Sequence, residues 1–241
     1  MNTELFVSQI NLRCPVPEDD YVGRLPVVKN LYEMGGLKFH RPVTFFVGEN
    51  GIGKSTLIEA IAIGLGFNPE GGRTSFDFVT RNSHSCLYEY LRVGKTARRR
   101  KDGFFLRAES FYNVASYIDS VDAARFYGGR SLHARSHGES FLALMENRFE
   151  GDGIYIFDEP EAALSPSRIL RLMVIIDELT KRGSQFIIST HSPMLMTLTG
   201  AEIYQLTEDS IKSVDYRDTE HFALTRRFLE DPDRMLKYLL N

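Results

Sequence analysis

Three short apolar runs interrupt a mostly polar chain: Val43-Thr44-Phe45-Phe46-Val47, Ile154-Tyr155-Ile156-Phe157 and Gln185-Phe186-Ile187-Ile188-Ser189. Continuous apolar runs of this length, bounded by turn residues, are the pattern of strands covered on both faces, as in a parallel sheet between helical layers. Residues 4–12 alternate instead and predict an edge or meander strand, followed by an irregular loop from Pro15 to about Tyr21. A helix is expected over 54–65, stopped by Asn68-Pro69-Glu70-Gly71-Gly72, and a further strand over Gly103–Ala108. Helical spacing fills 111–149, broken at Gly128-Gly129 and Ser136-His137-Gly138, while residues 73–102 give no clear element. Ser165-Pro166 supplies an N-cap and a first-turn proline, and Gly183 a stop, for a helix over about 166–181. The expected fold class is therefore α/β, with a mostly parallel sheet and a ligand at the C-terminal strand ends.

The first apolar run leads straight into Gly48-Glu49-Asn50-Gly51-Ile52-Gly53-Lys54-Ser55-Thr56 and then a helical segment. Strand, glycine-rich turn and helix are the context that a phosphate-binding loop requires. Gly48, Gly51 and Gly53 let the backbone bend so that several N–H groups converge on one anion at a helix N-terminus. Lys54 is expected at the β- and γ-phosphates of a nucleoside triphosphate, and the Ser55 hydroxyl on Mg²⁺.

The second run ends in Asp158-Glu159, two carboxylates at the end of a buried strand. Asp158 suits Mg²⁺ through water, and Glu159 suits the water that attacks the γ-phosphate. The third run ends in Ser189-Thr190-His191-Ser192-Pro193, which places His191 where it can reach the γ-phosphate.

The bulk properties narrow the setting. The chain has 241 residues, 43% hydrophobic and 25% charged, which suits one domain with insertions. A formal net charge of −3 gives no global attraction to nucleic acid, so DNA contact would need a local patch. The candidate is Lys95-Thr96-Ala97-Arg98-Arg99-Arg100-Lys101, with five positive residues in seven, which reads either as a solvated hairpin tip or as a contact to phosphate backbone or an acidic partner. Cys14 and Cys86 lack metal-ligand spacing, the first residues lack a secretory leader's apolar core, and no run nears the ~20 apolar residues of a membrane span. The expectation is a soluble, cytoplasmic protein with no membrane contact.

Across most of its length the chain resembles the ABC-type ATPases, in particular the branch with the SMC proteins, the coiled-coil double-strand-break-repair ATPases and small bacterial AAA-family ATPases. Gly48–Thr56 looks like the Walker A loop, Ile154–Glu159 like Walker B with its catalytic glutamate, Glu161–Ser165 like the D-loop and His191 like the switch histidine. Arg135-Ser136-His137-Gly138-Glu139 stands where the family carries its signature, with Ser136 and Gly138 matching. The resemblance implies a single ABC-type domain over 1–241 with a small helical signature subdomain near 110–150, and N-terminal antiparallel strands. It implies Mg²⁺-dependent ATP hydrolysis by a homodimer that ATP closes, acting on DNA or an effector protein. The rival readings are a nucleotide-gated binding module with little turnover and a transporter's ATPase subunit. Three departures stand out. The D-loop ends in Ser165 rather than aspartate, and His137 replaces the signature's first glycine. No glutamine occurs between Leu57 and Ser184, so the usual Q-loop residue is missing; Glu109, just after the strand Phe104–Ala108, is similarly placed and reads either as a carboxylate that could meet Mg²⁺ or the attacking water, or as a strand-end surface acid.

Overall fold

The alternation inside the buried runs sorts their side chains between two cores. In strand β3 (Val43–Gly48), Phe46 points into one cluster while Val43, Phe45 and Val47 point into another; in β6 (Gly153–Asp158), Ile154 and Ile156 separate from Tyr155 and Phe157 in the same way. A strand that buries both faces needs a helical or sheet layer on each side, and both are present in this computed structural model, which describes residues 5–72, 84–120 and 137–240. With β5 (Asp102–Arg107), β7 (Gln185–Ser189), β8 (Glu202–Leu206) and β9 (Ile211–Ser213), these strands form a six-stranded sheet in the order β5-β6-β7-β3-β8-β9. All its pairings are parallel except the closing β8–β9 hairpin.

On one face lie the helix after the glycine loop, α3 (Lys54–Gly64), and a second sheet of β1 (Val7–Leu12), β2 (Leu37–Lys38) and β4 (Leu91–Lys95), antiparallel in the order β2-β1-β4. Helices α1 (Tyr21–Arg24) and α2 (Pro26–Glu33), which the sequence did not announce, follow β1, and α2 packs beside α3 through Val27, Val28 and Leu31. The other face carries α5 (Phe111–Ser120), α6 (His137–Arg148) and α7 (Pro166–Lys181). Pro166 opens α7 as expected, but Ser165 makes no side-chain cap; its hydroxyl meets Ser167 Oγ at 3.2 Å instead. The chain continues through α8 (Pro193–Met196), the β8–β9 hairpin, α9 (Glu220–Glu230) and α10 (Pro232–Leu239). No described helix is long and apolar enough to cross a membrane.

The run 95–101 is neither a free hairpin tip nor a bare basic patch. Arg98 reaches Asp152 at 2.5 Å and stacks over the Phe6 ring, Arg100 stacks over Phe67 and donates to Leu65 O, and Lys101 pairs with Asp152. Packing draws the Arg98 and Arg100 guanidinium groups inward, while Lys101 stays largely exposed. Any nucleic-acid contact by this run would rely on the exposed Lys95, Arg99 and Lys101.

One buried amide sews the two sheets together. Gln185, fully buried at the start of β7, accepts from Phe6 N at 2.8 Å and Val7 N at 2.9 Å and donates to Val7 O at 2.9 Å. These backbone groups lie at the start of β1, beyond the reach of water, so the amide is their solvent. Gln185→Leu keeps the volume and strands two donors and an acceptor. Urea unfolding should show a loss of about 3 kcal/mol, one to two unsatisfied buried groups' worth; a loss near zero would mean that the backbone finds other partners.

Candidate functional site

The loop between β3 and α3 is held by backbone geometry that only glycine adopts without strain. Gly48 has φ 152° and Gly53 φ 101°. A Cβ on Gly48 would lie 2.4 Å from Leu206 O, and one on Gly53 2.6 Å from Val27 Cγ1, so the neighbouring strand and α2 also exclude side chains there. Gly53 caps α3 with no side-chain hydrogen bond, which leaves first-turn N–H groups to an anion. Lys54, 4% exposed, donates from Nζ to Gly48 O at 2.9 Å and Glu49 O at 2.8 Å. An ammonium has three protons, so one remains for a phosphate oxygen. Glu49, Asn50 and Gly51 form the exposed crest of the loop, Ile52 is buried beneath it, and Ser55 and Thr56 are half-buried.

The acidic half assembles where β6 and β7 end side by side. Asp158 pairs in register with Ser189, and Ser189 Oγ donates to Asp158 Oδ1 at 2.5 Å. Glu159 N donates to both Ser189 O and Ser189 Oγ at 3.1 Å. Glu159 itself sits at φ 48°, ψ 56°, a left-handed conformation that costs a non-glycine residue roughly 1–2 kcal/mol. That turn aims its carboxylate at His191, whose Nε2 lies 3.3 Å from Glu159 Oε1. Burial first, and then the Asp158 charge, push the Glu159 carboxyl above the usual carboxylate range, against the pull of Lys54. Burial likewise holds Lys54 below the ordinary lysine value, partly offset by Glu159, Asp158 and Glu161.

Three participants carried no clear signal in the sequence. Glu161, read there only as a D-loop position, is a buried carboxylate that accepts from Thr190 Oγ1 at 2.8 Å, His191 N at 2.5 Å and Ser192 N at 3.1 Å. It clamps the histidine loop onto the segment after β6. Arg107, the last residue of β5, bridges Glu59 of α3 at 2.6 Å and Asp158 at 3.5 Å. His221, in the first turn of α9, meets His191 Nδ1 with its Nε2 at 2.8 Å. Beside it a cleft of about 200 Å³ opens along the glycine loop, lined by Gly48, Glu49, Leu206, Thr219 and His221 among others.

The structure thus brings Lys54, Ser55, Asp158, Glu159 and His191 to one edge of the sheet. Glu109 lies on the exposed turn after β5, and its charge still contributes to the raised Glu159 carboxyl. Ser136 lies outside the described residues. Gly138, at the start of α6, is pressed against its own chain, where a Cβ would stand 2.8 Å from Ala163 O. Its glycine therefore has a packing reason of its own.

The residues fit a nucleotide with a hard divalent cation. Glycine backbone, helix N-terminus and Lys54 make an anion cradle, and Asp158 and the Ser55 hydroxyl offer oxygen donors of the kind Mg²⁺ accepts alongside phosphate and water. Among the described residues no group of three or more His, Cys, Asp or Glu could hold a metal alone. Asp158, Glu159 and Glu161 crowd around Lys54, an excess of negative charge that a cation relieves.

Fold and site define a P-loop nucleotide-binding α/β domain. A family model described as "AAA domain, putative AbiEii toxin, Type IV TA system" matches residues 135–197, and a second, described as "AAA domain", matches residues 32–118. The ribose import ATP-binding protein RbsA of Jannaschia sp. (strain CCS1) is 24% identical over 236 residues, covering 86% of this chain and 43% of that protein. The guanosine import ATP-binding protein NupO of Bacillus subtilis (strain 168) is 29% identical over 206 residues, covering 74% and 39%. The chain thus spans less than half the length of these curated relatives. Among solved structures, the SMC head domain from Thermotoga maritima is similar at 19% identity and a TM-score of 0.42, covering 75% of this chain and 92% of that one. The chain is thus similar to AAA domains and, over part of their length, to ATP-binding proteins of importers.

The histidine contact predicts an acid limb of stability. Burial above all, then Lys54 and His221, push His191 from its ordinary 6.5 down to about 4. The unfolded chain then takes up a proton that the folded one refuses, so stability is full above pH 6.5 and is lost as pH falls toward 4. In nucleotide-free protein at pH 4.5, wild type should have lost about 2 kcal/mol more, relative to pH 7, than His191→Gln. Equal acid losses in urea unfolding would place the titration elsewhere.

Proposed function

We propose that this chain binds ATP with Mg²⁺ at the loop Gly48–Thr56 and hydrolyses it with Glu159 orienting the attacking water. The observation that carries this reading is the strained Glu159 backbone, which holds the carboxylate against His191 at the end of the strand beside the phosphate loop. Among the described non-glycine residues only Asp152 and Glu159 have positive φ, and strain of that kind at a cleft fits a catalytic group. A carboxyl lifted by burial and by Asp158 is also a stronger base toward water.

In this reading Lys54 takes the β- and γ-phosphates, and Ser55 and Asp158 hold Mg²⁺, with Glu109 close enough to add charge. Mg²⁺, when bound, neutralises charge developing on the phosphate oxygens. His191 Nε2–H donates to the γ-phosphate. Ser136 and Gly138, distant in sequence from the phosphate loop, complete the site of a second copy, so that ATP closes a homodimer. The free thiols of Cys14 and Cys86 fit a cytoplasmic setting. The partner is DNA or an effector protein.

A second reading, the ATPase subunit of a transporter, is favoured by the names of the relatives, which are import ATP-binding proteins. Glu109 in place of the Q-loop glutamine argues for a different coupling from theirs. Affinity capture with Glu159→Gln and ATP separates the two readings by what stays bound: DNA or a soluble protein, against a membrane subunit.

Lys54→Ala should abolish nucleotide binding, and Glu159→Gln should bind ATP but turn over at least ~10²-fold more slowly. With ATP, Glu159→Gln should run as a dimer in light scattering, and adding Ser136→Arg should return it to monomer. Equal turnover in wild type and Glu159→Gln would remove Glu159 from catalysis. A nucleotide-bound Glu159→Gln monomer would sink the two-chain site.

A further inference from the structure

The contact between His191 and His221 joins two distant parts of the chain, 30 residues apart, through a single pair of ring nitrogens. The ring centroids lie 4.9 Å apart with planes inclined at 58°, so the rings meet edge to edge by hydrogen bond rather than by stacking. His221 is fixed from below. Thr219, 1% exposed, caps its helix from a buried position, with Oγ1 donating to Tyr216 O at 2.7 Å and its carbonyl accepting from Ala223 N at 3.0 Å. Phe222 packs edge-on against Tyr216. The imidazole of His221 is thereby delivered to His191 by a rigid helix start.

The direction of this hydrogen bond follows from what faces the other nitrogen. A neutral imidazole carries one proton, on Nδ1 or on Nε2. Nε2 of His191 is buried, finds no well-aligned hydrogen bond, and lies 3.3 Å from the Glu159 carboxylate, an acceptor. A lone pair there would oppose the carboxylate's own lone pairs, so the proton belongs on Nε2. Nδ1 is then an acceptor, and the 2.8 Å contact is His221 Nε2–H donating to it.

We propose that His221 is a positioning residue for His191: by donating to Nδ1, it fixes the tautomer whose Nε2–H faces Glu159 and the γ-phosphate. The proposal rests on the reading of His191 given above. It makes the start of α9, outside every motif of the site, part of the machinery that presents a proton to the nucleotide. The groups around the pair are Glu159, Lys54 and Glu161 on the His191 side, and Glu220 and Glu49 near His221.

The first test needs no variant. In nucleotide-free protein labelled with ¹⁵N-histidine at neutral pH, ring ¹⁵N shifts should show His191 protonated on Nε2 and bare on Nδ1. A proton on Nδ1 in wild type would overturn the proposal. Three substitutions then separate donation from shape. His221→Gln keeps a donor at similar reach, His221→Phe keeps a ring without one, and His221→Glu presents an acceptor. Turnover at saturating ATP should stay within about threefold of wild type in the Gln variant and fall about tenfold or more in Phe and Glu, the scale of an orienting partner of a histidine, with KM little changed. His221→Glu should also move the His191 proton to Nδ1. Equal losses in Gln and Phe would reduce His221 to packing and reject the proposal. His191→Ala is the reference: wild-type turnover in that variant would defeat the reading of His191 itself. A slow His191→Ala beside an unimpaired His221→Phe would defeat only the role of His221.

Discussion

The parallel register of three strands is the constraint on which the site depends. Ser189 of β7 stands opposite Asp158 of β6 on one side and Phe46 of β3 on the other. Parallel strands end their chains on the same edge, so the loop after each run emerges at one place. A shift of one residue in either pairing would turn Asp158 into a core and rotate a phenylalanine out. Ser189 makes the register chemically specific, since its hydroxyl donates to Asp158 Oδ1 while its carbonyl and hydroxyl both receive Glu159 N. Sheet pairing and carboxylate placement are one arrangement.

On that edge, burial and charge are balanced locally. Glu161 is desolvated, which raises its carboxyl above the usual range, yet it accepts from Thr190 Oγ1, His191 N and Ser192 N, which lower it again. The three hydrogen bonds make it a bolt between the segment after β6 and the loop after β7. Glu159 has no such set of donors and remains half-exposed, so its carboxylate is open to water. Two neighbouring acids of the same loop thus differ because three donors converge on Glu161 Oε1 and no such set meets Glu159.

The central sheet was legible in the sequence because both-face burial writes continuous apolar runs, and Val43–Val47, Ile154–Phe157 and Gln185–Ser189 are strands within a residue of their expected limits. The glycine loop was legible because backbone convergence on an anion needs residues of one kind at fixed spacing. The region 73–102 was opaque: α4 (Leu87–Tyr90) and β4 are short, and β4 pairs only with β1, some eighty residues upstream, so no local period marks it. The basic run misled for a related reason. A run of charge looks solvated in sequence, whereas Arg98 and Arg100 spend their cations on Phe6, Phe67 and Asp152. Glu161, Arg107 and His221 were invisible as site members because each acts through another residue. Partners brought together by topology leave no spacing to read.

The motif residues are therefore held by elements that carry no motif. Arg107 ties Glu59 of α3 to Asp158, so the helix after the glycine loop and the strand bearing Asp158 share one cation. Its own strand, β5, continues directly into the turn of Glu109 and meets Asp158 by backbone as well, with Arg107 paired in register and Ala108 N donating to Asp158 O at 3.3 Å. On the far side, α9 reaches His191 through His221, and the exposed faces of α9 and α10 leave Leu224, Leu229 and Leu239 at the surface. The two contacts approach the site from opposite directions, one at the carboxylate and one at the histidine. A movement of Asp158 and His191 must pull on both β5 and α9, because neither side chain can shift without breaking a buried or half-buried polar contact.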